Sequence, residues 1–331
     1  MGGLLQWGLI EARTVHKDPT KEALKAVHAL RLEGQSDDTL ARLKKVLRQA
    51  NGIVVAEAAL LASEWFATEL TDELADAFVR LRDKGLGEDP QCWGKVALIK
   101  ALHELAHQDG LVYLKGCQTF QLEPVYGGKE DSAVAVRSLA FGALVQLPVI
   151  DFEKLMIALA DLLADPSPRV RAEAARLSVS GPADKVAPLL RLKLKLGDTE
   201  TRVMGACCDA LLTLAPGEEN LELIESLAQS DNGALEAEAL AALAGSSHAE
   251  AVTLAITAFD RLFDPQLRRI VIMAMAASAT GEADAFLLSL LAEDEPEALW
   301  ALEALKPKRH NPELDKEIEA ILAQHHPHWQ T

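Results

Sequence analysis

From residue 136 onward this chain keeps restarting. Val136-Arg137, Val170-Arg171, Thr201-Arg202, Leu235-Glu236, Leu267-Arg268 and Ala298-Leu299 each open a run of small apolar residues. Their second members lie 34, 31, 34, 32 and 31 residues apart. A period of that size holds two helices and a turn, so it points to an array of stacked hairpins. No such unit buries its apolar face alone, and neighbours must cover one another.

The fullest copy runs Asp165-Pro-Ser-Pro-Arg-Val-Arg-Ala-Glu-Ala-Ala-Arg-Leu177. Asp165 suits a cap, and Pro166 or Pro168 suits a first helical turn. Val170, Ala174 and Leu177 then recur at helical spacing. Second helices follow the first ones, as at 152–164 and 249–262. Aromatic residues make up only 5% of the chain. Ala and Leu dominate the apolar set, and such side chains favour helices that pack closely. Strand-like alternation is almost absent, so the chain is expected to be all-α.

Towards the N-terminus the punctuation predicts helices near 19–33, 37–50, 53–68 and 72–84. Gly34, Gly52 and Gly85 read as ends, and Ser36 and Thr71 as caps. Asp89-Pro90 opens a helix expected to reach His107, and a shorter one covers 109–117. The helical period then breaks over Gln118–Glu130, which holds Pro124 and Gly127-Gly128. This is an inserted loop with room for a short hairpin. Lys95 precedes Arg137 by 42 residues, a surplus that the loop accounts for, so the first part joins the same array. The expected organisation is a cap at 1–17, helical repeats at 18–117, the loop at 118–130, further repeats at 131–310, and a capping helix and tail at 311–331.

Asp165-Pro-Ser-Pro-Arg-Val-Arg-Ala-Glu-Ala resembles the D-P-x-x-x-V-R-x-x-A signature of HEAT repeats, in the short bacterial form also found in phycobilisome-lyase-like proteins. Asp264-Pro-Gln-Leu-Arg268 repeats it less fully, and Asp131 with Arg137 and Asp198 with Arg202 keep the acid and the arginine. Glu236 and Leu299 depart from it. The resemblance implies a right-handed α-solenoid of eight or nine hairpins. It also implies structural roles for these residues, the Asp as a helix cap and Arg171, Arg202 and Arg268 as links to the next turn.

The net charge of −17 is uneven. Residues 1–130 carry 16 basic and 19 acidic side chains, and residues 131–331 carry 17 and 31. Such a surface repels phosphate backbones and anionic lipid; it either suits a basic protein or peptide or serves only to keep a long exposed array soluble. The basic clusters Arg42/Lys44/Lys45/Arg48, Arg191/Lys193/Lys195 and Lys306/Lys308/Arg309 are scattered, which argues against nucleic acid. Cys92, Cys117, Cys207 and Cys208 lack CxxC spacing and fit reduced, buried thiols in a cytoplasmic protein. The N-terminus has no basic region before its short apolar run, and the longest apolar run, 270–279, is half a membrane span.

Two places invite chemistry. His103-Glu-Leu-Ala-His107 is an H-E-x-x-H pattern, which on a helix sets two zinc ligands one turn apart with Glu104 as general base. No third ligand follows it and Lys100 shares its side of the helix, so the expectation is a half-buried, structural histidine pair and no metal site. In the loop, Phe120, Glu123, Tyr126 and Glu130 form a candidate binding patch, the alternative being a plug between repeats. The His325/His326/His328 tail reads as frayed, and Trp93 and Trp300 as packing anchors. No cofactor motif is present. The expected function is a non-enzymatic scaffold or adaptor binding proteins through a concave, acidic helical surface. The alternatives are a lyase-like or zinc-dependent enzyme using His103, Glu104 and His107, and a HEAT-like nucleic-acid processor.

Overall fold

The computed structural model describes residues 18–329; the expected cap at 1–17 lies outside them. Within them are eighteen α-helices and one two-stranded hairpin. The fold is all-α, with helices packed in neighbouring pairs. The chain forms two compact units, which part between Val136 and Arg137, except that Gly116–Gln118 group with the second.

The first unit holds α1 (Pro19–Glu33), α2 (Asp37–Gln49), α3 (Gly52–Glu64), α4 (Thr71–Lys84), α5 (Trp93–Glu104) and α6 (Gly110–Cys117). It also holds β1 (Leu122–Val125) and β2 (Gly128–Asp131), and α7 (Val134–Leu144) begins at its end. Helices α1, α3 and α5 lie side by side, with α2 and α4 behind them. Local chemistry sets the starts: Asp18 accepts from Thr20 N at 3.0 Å, and Ser36 with Thr39 closes a capping box. Gly34 and Gly85 end helices at positive φ.

Gly52 was expected as an end, yet it opens α3. The reason is proximity: a Cβ there would sit 2.0 Å from Asp89 Oδ1, and one on Gly94 would sit 2.8 Å from Gly52 Cα. Two glycines let α3 and α5 touch backbone to backbone. Thr71 is the first residue of α4 rather than its cap. The helix expected to reach residue 68 stops at Glu64, and Phe66 turns at φ 50°.

The second unit stacks hairpins from α8 (Phe152–Leu163) and α9 (Pro168–Leu177) onward. They continue with α10 (Ala183–Leu196), α11 (Thr201–Leu214), α12 (Glu218–Leu227), α13 (Gly233–Gly245) and α14 (Ala249–Phe259). The last are α15 (Pro265–Ala274), α16 (Gly281–Leu291), α17 (Glu297–Leu305) and α18 (Pro312–His325). Helices α9, α11, α13, α15 and α17 form one tightly packed layer. Small residues make this possible: a Cβ on Gly205 of α11 would meet Glu238 Oε2 of α13 at 2.3 Å. In the second layer α14, α16 and α18 lie side by side, whereas α12 and α14 barely touch. The core between the layers is aliphatic, with Leu190, Leu211, Ile224, Leu240, Val252 and Leu287 fully buried. Each such side chain contributes roughly 1.5–3 kcal/mol by leaving water.

The tail departs from the frayed reading. His326 is buried and donates from Nε2 to the Leu291 carbonyl at 2.8 Å, and Trp329 stacks on its ring at 3.9 Å. No helix among the described residues is long and apolar enough to cross a membrane.

Candidate functional site

The repeated arginines make a ladder. Arg137 donates from Nε and Nη2 to Asp165 at 2.7 and 3.0 Å, with both side chains buried. Arg171 grips Asp198 through two bonds of 2.7 Å, and its Nη1 reaches the Asp165 carbonyl at 2.7 Å. Arg268 bonds Glu297 at 2.8 Å and lies over the Phe259 ring. The acids also hold turns: Asp165 accepts from Ser167 N at 2.8 Å, Asp198 from Glu200 N at 2.9 Å and Asp264 from Gln266 N at 2.8 Å. Asp165 therefore caps the turn before α9, while Ser167 occupies the N-cap and Pro168 the first helical position. Burial works to raise the Asp198 carboxyl, but hydrogen bonds from Arg171, Lys193 and Glu200 N hold it well below the usual range. Asp131 accepts from Ala133 N and Gln121 N at 3.0 Å each, so it fixes the end of β2.

The H-E-x-x-H segment is not one helical face. Helix α5 ends at Glu104, and Ala106 turns at φ 54°. His103 and Glu104 are exposed on the last turn, and His107 lies beyond the break with its ring edge towards Tyr113. The one-turn spacing required of two helical zinc ligands is absent. Among the described residues, no group of three His, Cys, Asp or Glu side chains is placed to hold a metal.

The 118–130 segment divides by side. Its antiparallel strands pair Leu122 with Asp131 and Val125 with Gly128. Glu123 turns inward: one carboxylate oxygen accepts from Gln91 N at 2.6 Å, Ser132 Oγ at 2.6 Å and Gln121 Nε2 at 2.7 Å. Gln121 also donates to the Asp89 carbonyl at 2.8 Å. Asp89 is itself buried against Lys95 Nζ at 2.8 Å. This staple holds a strained turn in which Gln91 and Cys92 have φ of 58° and 56°. Phe120, Tyr126 and Glu130 face solvent, as does Trp93, which is therefore no packing anchor.

The ladder lapses in the middle of the second unit. Arg202 is exposed and forms no ion pair with a described residue, Asn232 stands at the cap of α13, and Glu236 stands where an arginine is due. In the same stretch, a groove of about 740 Å³ opens along α12 and α14. Glu218, Glu222 and Glu225 of α12, Glu250 of α14 and Glu282 of α16 line it. None of them pairs with a described cation. Leu221 and Leu254 form its apolar floor. Only part of this was legible: residues 218, 222 and 225 share a helical face by spacing, but the opposing wall depends on how hairpins stack.

A second groove, of about 450 Å³, runs over α11, α13 and α15. Asp209 and Glu238 face it among Ala241, Gly245, Ser246 and Ala277. Partial shielding of the carboxyl from water, and then the charge of Glu238, raise Asp209 to about 6 against a smaller opposing pull from Arg176, although the residue as a whole keeps an exposed surface. The four cysteines are free and buried, and desolvation raises their thiols, so none is a ready nucleophile.

The chain matches no family model and no curated protein sequence.

Proposed function

We propose that this protein is a non-enzymatic, HEAT-like scaffold that binds a basic segment of another protein through the acidic groove of its second unit. One observation carries the reading: five glutamates surround a groove of about 740 Å³ and no described cation neutralises them. Uncompensated charge of one sign in a concave place focuses potential and attracts the opposite charge. The same field disfavours phosphate backbones and anionic lipid. The Arg–Asp ladder supports the scaffold role, since its charges are consumed in holding turns together.

The test is fluorescence anisotropy with a labelled Lys/Arg-rich peptide, and a Glu-rich peptide as control. The basic peptide is expected to bind, more weakly as salt rises, and the triple variant Glu222→Gln/Glu225→Gln/Glu250→Gln is expected to lose at least tenfold in affinity. Equal binding of both peptides, or full affinity in the triple variant, overturns the reading.

A further inference from the structure

Resting on that groove, we infer that its occupant is an amphipathic basic α-helix which fills the break in the second layer. Further along that layer α14, α16 and α18 lie flank to flank, while α10 and α12 barely touch, as α12 and α14 do, but are bridged by hydrogen bonds. Between α12 and α14 the flanks part, and the space left is the groove. On its other side α12 is fastened, with Arg191 of α10 donating to the Glu219 carbonyl at 2.8 Å and to Asn220 Oδ1 at 2.5 Å. The gap thus lies between two helices that are each held elsewhere.

The lining has the two chemistries that such a helix needs. Leu221 and Leu254 give an apolar floor, and glutamates stand on both rims. Glu218, Glu222 and Glu225 recur at steps of four and three residues, so they rise along one face of α12 over about 10 Å. Lysines or arginines at the same spacing on an antiparallel helix meet them in register, with leucines between facing the floor. An extended strand places alternate side chains on opposite sides and cannot keep cations on both rims and leucines below.

Two labelled peptides of equal composition and charge test this. One has leucines and lysines at helical spacing; the other carries two central prolines in exchange for terminal ones. The helical peptide is expected to bind at least tenfold tighter than its proline isomer and to gain helicity by circular dichroism on binding. That preference is expected to fall at least fivefold in Leu254→Gln, with a melting curve confirming the fold, or in Thr253→Phe, which narrows the groove without changing its charge, if Leu254→Gln unfolds. Equal affinity of the two peptides overturns the helical occupant and leaves the acidic groove standing. Failure of both to bind removes the groove reading as well.

Discussion

At the residue scale, charge burial decides most of what can be tested. Arg137 and Asp165 are both removed from water, so deleting Arg137 leaves a buried carboxylate without its cation. Arg137→Ala is expected to cost about 3–5 kcal/mol in urea unfolding, while the double variant Arg137→Met/Asp165→Leu recovers only part of that loss, because Asp165 also caps the turn at Ser167. Asp198 titrates below its usual range when folded. Its contribution is full above the ordinary aspartate pKa and is lost as the pH falls below about 4. Unfolding of Asp198→Asn should therefore differ most from the parent at neutral pH and converge with it in acid. Asp209 has the opposite sign. Its carboxyl is held near 6 in the fold, so ionising it opposes folding as the pH climbs from about 4 to 6. Asp209→Asn is expected to stabilise the protein at pH 7 and to make no difference below pH 4.

At the element scale, the β-hairpin separates anchoring from display. Glu123 accepts from three exposed or half-buried donors with one oxygen, so Glu123→Ala should cost about 1–2 kcal/mol through the hydrogen bonds it removes. Tyr126 is fully exposed, and Tyr126→Ala should change stability by no more than about 0.5 kcal/mol. Chemical denaturation of the two variants side by side checks this. The sequence identified the segment as a break in helical rhythm, and Pro124 with Gly127-Gly128 marked a turn. It could not show that Glu123 reaches back to residue 91, because that contact depends on how the 89–92 turn is folded. The same limit explains the H-E-x-x-H segment. The spacing of two histidines assumes an unbroken helix, whereas Ala106 takes a left-handed turn that no propensity scale assigns to alanine.

At the scale of the whole molecule, the repeat period made the architecture readable, since each small-residue run needs a neighbour to cover it. The departure at Glu236 was visible too, whereas Asp198 with Arg202 reads as a kept pair in the sequence, and only the fold shows Asp198 held by Arg171 and Arg202 left exposed. The consequence was not visible, because the groove forms from side chains on three helices that only stacking brings together.

The contrast between the two layers around that groove has a mechanical meaning. On one side α11 and α13 are pressed together over Gly205, and on the other α12 and α14 are nearly out of touch. At that one place the stack is fastened along one edge and open along the other, like a book parted at a single page. Amide exchange should then be faster in α12 than in α11 or α13, and a guest wedged between the pages would stiffen the binding.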